Sequence, residues 1–300
     1  MLRQAEKDVA DVAFELVRQA VIFLPADVKV ALQRACAEET GELARMQLQA
    51  ILDNVALAEK QKVPVCQDTG TLVFFVKAGV DFEGLACVEN ALTQAVRRAT
   101  VEVPLRPNAV HPFTQKNSGD NTGRGLPEIH WELVPGKTLE LTVLAKGGGS
   151  ENFSALGMLH PAEGLSALKR FVVDTVIRAG AQPCPPTILG IGFGGSAELA
   201  MSLAKRALLK PLDEPNGDAD LACLERELLE AANMTGIGPM GVGGKTTVLG
   251  VHVDYAFRHP ASFPVAVMFN CWAARRASAR IEVDGSVKYL THTNSVGENV

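Results

Sequence analysis

The cysteines of this 300-residue sequence are the first residues whose type and spacing could support chemistry. The chain contains six cysteines, too few for a scaffold held by disulfides, and no two have the C-x-x-C spacing of a zinc ribbon or a thioredoxin-like motif. Reduced thiols are therefore expected. Half of the six lie within apolar helical patterns, where cysteine is most often a small core residue, so we expect these to be buried and inert: Cys36, Cys87 and Cys223.

The remaining cysteines stand at the ends of predicted strands. Cys66 is followed by turn residues, Cys184 is enclosed by prolines whose rings fix the local φ angles, and Cys271 ends an apolar strand. Thiolates on rigid connections at strand ends can converge on one metal site although they are far apart in sequence. Cysteines in such positions are also often simply buried, so their placement alone leaves both interpretations open.

Three glycine-rich segments are candidates for anion binding. Residues 190–195 satisfy G-x-G-x-x-G, but the second strand with its acidic end that a dinucleotide site requires does not follow. Residues 239–246 nearly match a P-loop, but a proline replaces the first glycine and a helix precedes it. The third segment, Lys146-Gly147-Gly148-Gly149-Ser150, is either a flexible turn or a loop whose backbone N–H groups approach an anion.

Apolar periodicity predicts the elements that position these residues. Residues 1–60 have the spacing of two or three helices. Helices and strands then follow in a mixed order: strand 72–76, helix 85–100, strands 129–133 and 139–145 joined by a turn, helix 162–179, strand 187–192, helices 197–209 and 221–233, and strands 248–253 and 265–269. The expected fold class is α/β, or mixed α+β, with a helical N-terminal segment followed by a mixed sheet with flanking helices.

Composition and charge limit the classes of protein to which this chain can belong. With 47% hydrophobic residues the chain can bury a large core, and we expect a single domain over residues 1–300, because the best linker candidate, 210–220, joins helices of similar character. A net charge of -5 leaves no positive field for nucleic acid. No stretch reaches the roughly 18 apolar residues of a membrane span, and the N-terminus has no signal-peptide pattern, so a cytoplasmic location is expected.

An ordered set of motifs from about residue 10 to residue 290 resembles the alpha subunit of the class I fumarate hydratase and L(+)-tartrate dehydratase family. The set is more specific than any one motif. Its members are Val65-Cys66-Gln67-Asp68-Thr69-Gly70, Pro104-Leu105-Arg106-Pro107-Asn108-Ala109-Val110, Lys146-Gly147-Gly148-Gly149-Ser150-Glu151-Asn152, Pro183-Cys184-Pro185-Pro186, and Arg258-His259-Pro260 leading to Cys271-Trp272-Ala273-Ala274-Arg275-Arg276.

The resemblance implies a metal cofactor and a set of site residues. Cys66, Cys184 and Cys271 match the cysteines that hold a 4Fe–4S cluster in the family. A cubane normally takes four cysteines, so three leave one iron open to act as a Lewis acid on a substrate oxygen. The residues implied to bind substrate are Gln67, Asp68, Arg106 and Gly149, and those implied to handle protons are Asp68 and His259.

The resemblance also implies a partner. Single-chain members of the family continue into a swivelling α/β domain that carries further site residues, and two-chain members have that domain as a beta subunit. We therefore expect an alpha subunit in a hetero-oligomer such as a heterotetramer, acting on a small dicarboxylate. The first choice is the (S)-malate and fumarate pair, because residues 149–152 keep the fumarase-like form. The alternatives are an L(+)-tartrate dehydratase giving oxaloacetate, and a non-catalytic iron–sulfur or zinc-binding structural subunit.

Overall fold

The computed structural model describes residues 2–292, which form two compact units that are interleaved along the chain. The first unit contains the residues up to Pro25, the segment Val55–Lys146 and the residues from Arg275 onward. The second unit contains Ala26–Asn54 and Gly147–Ala274. That the whole chain behaves as one domain stays a prediction.

The first unit is a five-stranded sheet covered by two long helices. Its elements are α1 (Leu2–Ile22), the end of α3 (Glu42–Gln61), α4 (Val88–Glu102), β1 (Thr71–Gly79), β2 (Glu128–Val134), β3 (Leu139–Lys146), β8 (Arg276–Ile281) and β9 (Val287–Tyr289). The strand order is β2-β1-β3-β8-β9, with β2 parallel to β1 and the other pairs antiparallel. Apolar side chains of α1 and α4 pack with those of β1 and β3 in one core, which includes Leu16, Phe74, Leu92 and Leu141.

The second unit is a four-stranded sheet with helices packed against it. Its elements are α2 (Ala26–Glu38), the start of α3, α5 (Gly148–Glu151), α6 (Gly164–Ala179), α7 (Ala197–Ala207), α8 (Ala219–Asn233), β4 (Ala155–Leu159), β5 (Thr187–Gly194), β6 (Val248–Ala256) and β7 (Phe263–Asn270). The order is β4-β7-β5-β6, and only the β5 and β6 pair is parallel. The central strand β7 is buried along its whole length, so it reads as a continuous apolar run.

Close packing of a helix on a strand accounts for the G-x-G-x-x-G segment. A Cβ atom on Gly190 or Gly192 would lie 2.1 Å from the carbonyl oxygen of Ala204 or Ala200, respectively, which no side chain can do. The backbone of α7 therefore lies directly on β5, and Ser196 begins that helix by accepting a hydrogen bond from the Leu199 N–H at 3.1 Å. These glycines therefore allow the close packing of α7 on β5.

The segment that resembles a P-loop, residues 239–246, is hydrogen-bonded to the buried carboxylate of Glu39. Oε1 of Glu39 accepts the Thr40 and Gly41 N–H groups at 2.8 Å, and Oε2 accepts the Lys245 N–H at 2.7 Å. The ammonium group of Lys245 donates to the Glu38 carbonyl at 3.0 Å. Burial alone would raise the pKa of Glu39, but these backbone donors outweigh it and leave the pKa lowered. The lysine of this loop thus fastens the loop to the end of α2.

Glu39→Gln should destabilise the protein by about 1–3 kcal/mol at neutral pH, because the amide group would face the Lys245 N–H with a donor. Chemical denaturation checks this, with Glu38→Gln, an exposed neighbour, as the control. Since the folded pKa of Glu39 lies below its ordinary value of 4.5, the stabilisation is complete above that pH and is lost as pH falls through the lowered pKa. The difference between wild type and variant should therefore shrink in acid. Equal stabilities at pH 7 would contradict the role of Glu39.

The expected fold class is confirmed, with corrections in detail. The two strands predicted around the turn at 134–137 exist but do not pair, because β1 lies between them. The strands β4, β8 and β9 were not predicted from the sequence. The expectation that Cys223 is buried is wrong: this residue is exposed on α8, while Cys36 and Cys87 are half-buried. No helix within residues 2–292 has the length and apolar character needed to cross a membrane.

Candidate functional site

Cys66 lies in a turn that lines an open cleft of the first unit. The turn connects the end of α3 to β1, and it ends at Gly70, whose φ of 82° and contact with β3 require glycine: a Cβ atom there would be 2.8 Å from the Ala145 carbonyl carbon. The cleft has a volume of about 480 Å³ and is lined by Pro64, Cys66, Gln67, Thr69, Pro104 and Arg106. The structure therefore brings three of the residues singled out from the sequence, Cys66, Gln67 and Arg106, into one cavity.

Side chains from neighbouring loops hold this turn in place. The Thr69 hydroxyl accepts the Arg106 N–H at 3.1 Å and lies 3.4 Å from the Arg106 carbonyl, to which it donates. The Asn108 amide donates to the Gly70 carbonyl at 3.1 Å and to Oδ1 of Asp68 at 3.4 Å. That same Oδ1 accepts the Gly70 N–H at 2.9 Å. Asp68 is thus fixed with one carboxylate oxygen engaged by its own turn.

A buried arginine supports the Cys66 turn by a hydrogen bond to its main chain. Arg275 is only 1% exposed, and its guanidinium donates to the Asp68 carbonyl. Its Nε has no hydrogen-bond partner among the residues that the structure describes. Arg275 thus places a positive charge behind the Cys66 turn. Buried guanidinium groups are normally compensated by hydrogen bonds or anions. Residue type alone does not reveal the roles of Arg275, Thr69 and Asn108, since these depend on contacts between distant loops.

The other two candidate cluster cysteines lie next to each other in the second unit. The Trp272 N–H, one residue after Cys271, donates to the Cys184 carbonyl at 3.2 Å. Cys184 has a φ of 56°, a left-handed conformation that residues other than glycine seldom adopt, and its N–H donates to the Ala181 carbonyl at 3.1 Å. Both thiols are half-buried. The strand β7 and the proline-flanked loop before β5 therefore deliver two thiols to one end of the sheet.

The glycine run opens a short helix in the second unit. Gly147 precedes α5, and the Ser150 hydroxyl donates to the Gly147 carbonyl at 3.0 Å. Glu151, at the end of α5, lies 3.8 Å from the ammonium group of the largely buried Lys205 on α7. Gly149 is exposed, and a Cβ atom there would be 3.7 Å from the nearest atom, which is ordinary contact. Neither packing nor a left-handed backbone requires glycine at this position.

His259 lies in the exposed turn between β6 and β7. Its Nδ1 accepts the Ala261 N–H at 3.1 Å, so the neutral ring carries its proton on Nε2. Arg258 braces the same turn by donating to the carbonyl groups of His259, Pro260 and Ser262 at 3.1–3.2 Å. The imidazole is therefore oriented by its own turn, with Nε2 left as the nitrogen that can exchange a proton.

The donor chemistry of the three cysteines fits an iron–sulfur cluster. Each thiol is half-buried and follows or precedes a strand, so each is both held and accessible. Thiolate is the ligand that iron–sulfur clusters select. Within residues 2–292, no group of three His, Cys, Asp or Glu side chains is arranged to hold a single metal ion. A cubane takes its thiolates on different irons.

Comparison with known proteins agrees with this chemistry. The profile of the family described as fumarate hydratase (Fumerase) matches residues 10–280. A Methanocaldococcus jannaschii protein provisionally named L(+)-tartrate dehydratase subunit alpha is 44% identical over 283 residues, which cover 93% of this chain and 99% of that protein. The L(+)-tartrate dehydratase subunit alpha of an Escherichia coli strain is 36% identical over 294 residues, covering 98% and 97%. The chain therefore belongs to the fumarate hydratase family and is a lyase of the hydro-lyase type.

Proposed function

We propose that this chain is the cluster-binding alpha subunit of a 4Fe–4S-dependent hydro-lyase, which interconverts a 2-hydroxy dicarboxylic acid and its dehydrated product. The observation that carries the proposal is the cleft of the first unit. There a thiol suited to iron, Cys66, and a guanidinium suited to a carboxylate, Arg106, line the same cavity. A purely structural metal protein would not need a cation in such a cleft.

Cys66, Cys184 and Cys271 are the proposed ligands of the cluster. When bound, a cluster held by three cysteines supplies an open iron that takes charge from the departing hydroxyl group of the substrate. The main chain around Cys184 and Cys271 is joined by the bond between Trp272 and Cys184, which fixes these two ligands relative to each other. Cys66 is fixed separately, by the turn that Asn108 and Arg275 brace.

Arg106, Gln67 and Gly149 are the proposed substrate-binding residues. The planar guanidinium of Arg106 can donate two parallel hydrogen bonds to a carboxylate, which a lysine cannot do. Gln67 is exposed beside Cys66 and offers both a donor and an acceptor. At Gly149 the fold does not require glycine, so close approach of a ligand to the backbone N–H is a reason for the missing side chain.

Asp68 and His259 are the proposed proton-handling groups. The carboxylate of Asp68 has one oxygen held by Gly70 and Asn108, which fixes its direction. His259 presents Nε2 while Nδ1 is held by the Ala261 N–H. An oriented carboxylate and an oriented imidazole can steer the water that is added or the hydroxide that leaves.

The substrate and the partner follow from the family and from its relatives. The family profile and the form of residues 149–152 favour (S)-malate and fumarate. The names of both relatives favour L(+)-tartrate as the second candidate substrate, and their designation as alpha subunits supports a beta subunit that completes the site. We propose a cytoplasmic hetero-oligomer, such as a heterotetramer. Anaerobic assays of the reconstituted complex on malate, fumarate and L(+)-tartrate decide between the substrates.

Arg106→Lys tests the binding role directly. The lysine keeps the charge but loses the planar fork, so we expect kcat/KM to fall about a hundredfold or more while iron and sulfide content stay unchanged. The matched control is Arg98→Lys, since Arg98 forms surface ion pairs with Asp11 and Glu102 on α1 and α4. This control should keep wild-type kinetics. If Arg106→Lys also kept them on every diacid, Arg106 would not be a substrate ligand.

A further inference from the structure

Thr69 joins two loops of the candidate site through a single hydroxyl group. The side chain is 3% exposed, and it comes directly after Asp68 in the Cys66 turn. Its oxygen accepts the Arg106 N–H at 3.1 Å, and its proton is directed to the Arg106 carbonyl at 3.4 Å. The two residues are 37 positions apart. Both main-chain groups of Arg106 thus meet the same buried hydroxyl.

Arg106 needs such an anchor because its loop has little regular structure. The residue lies between Pro104 and Pro107, outside any helix or strand, and its side chain is exposed. Its carbonyl also accepts the Asn121 amide at 3.2 Å. A long arginine side chain can place its guanidinium reproducibly only if its own Cα is fixed. Thr69 fixes that Cα relative to Cys66 and Gln67, which line the same cleft.

We infer that Thr69 is a positioning residue that sets where the Arg106 guanidinium meets a substrate carboxylate, relative to the Cys66 turn. The inference rests on the proposed function of the cleft. Thr69 does not need to touch substrate, because its hydroxyl is already engaged in both directions by Arg106. Its contribution is to preorganise the clamp, and small displacements of a binding group have large effects on turnover.

The test compares Thr69→Val with Thr69→Ser in the anaerobically reconstituted complex. Valine keeps the shape but removes both hydrogen bonds, whereas serine keeps the hydroxyl. For Thr69→Val we expect KM for the diacid to rise about tenfold or more, with kcat falling less and cluster content unchanged. Thr69→Ser should restore KM to within a few-fold of wild type. In hydrogen exchange, the amide of Arg106 should lose protection in the valine variant only.

A control separates positioning from general loss of stability. Thr142→Val removes a hydroxyl group that forms a hydrogen bond with Ser278 at 2.8 Å. This bond joins β3 and β8 of the same unit and does not involve the loops of the cleft. It should lower stability without changing KM. If Thr69→Val loosened the Arg106 amide but kept the wild-type KM, the positioning role would be overturned while the proposed function stood. If the wild-type complex turned over no diacid, the proposed function would fail and the inference with it.

Discussion

Cys184→Ser is expected to abolish the visible absorbance of the reconstituted cluster, together with its iron and sulfide. The exchange replaces one sulfur by one oxygen, so it leaves the fold intact while it removes a soft ligand that iron–sulfur clusters require. Cys66→Ser and Cys271→Ser should have the same effect. The measurement is the absorbance spectrum with iron and sulfide content after anaerobic reconstitution, and activity is not needed for it.

The other cysteines supply matched controls for this experiment. Cys36 lies in α2, Cys87 in the turn before α4, and Cys223 in α8, so none of the three stands at the end of a strand. Serine at any of these three positions should leave the cluster bound. The exposed Cys223 is the most sensitive control for damage by oxidation during handling. Full cluster content in Cys184→Ser would contradict the assignment of the ligands.

The isolated alpha subunit is expected to bind its cluster but to turn over no substrate. A dicarboxylate brings two negative groups, and Arg106 is the one cationic residue among those that line the cleft in the described part of the chain. The remaining cations and the base that removes the carbon-bound proton are proposed to come from the beta subunit. Adding that subunit anaerobically should raise activity from background to the full rate of the complex.

Three observations would separate a missing partner from a missing cluster and from a site formed by one chain. If the beta subunit restored activity to wild-type alpha subunit but not to Arg106→Lys, both chains would contribute to one site. Full turnover by the isolated alpha subunit would rule out the two-chain arrangement. The spectrum of the isolated subunit shows whether an inactive preparation still holds its cluster, so a loss of metal cannot be mistaken for a missing partner.

The sequence predicted the elements better than their arrangement. Strands such as β5 and β7 were found because buried strands form continuous apolar runs. That β1 would lie between β2 and β3 could not be predicted, since strand order depends on packing among all the elements. The prediction that Cys223 is buried was wrong because its exposure depends on which face of the helix it occupies. Leu221 and Leu224 lie on the buried face of α8, whereas Cys223 lies on the face exposed to solvent.

The candidate cysteines were predicted from residue type and placement, the substrate-binding and proton-handling residues came from the family resemblance, and the supporting residues were not predicted. Cys66, Cys184 and Cys271 stood out by their placement at the ends of predicted strands, whereas Arg106 was identified only through the resemblance to the family. Thr69, Asn108 and Arg275 act through hydrogen bonds to the main chain of distant loops, and almost any polar residue can do so. Such residues become visible only when the loops are seen together. The roles of the predicted ligands stay a prediction until the variants are measured.

The left-handed backbone at Cys184 has a cost for the stability of the cluster-free protein. A residue with a Cβ atom costs roughly 1–2 kcal/mol in that conformation, and glycine would avoid the cost. A chain optimised for folding alone would therefore carry glycine at position 184. Cysteine at this position therefore costs the apoprotein stability, and the proposed role of its sulfur as a cluster ligand would account for that cost. If Cys184 binds the cluster, stability of the apoprotein and ligation make opposite demands on this residue.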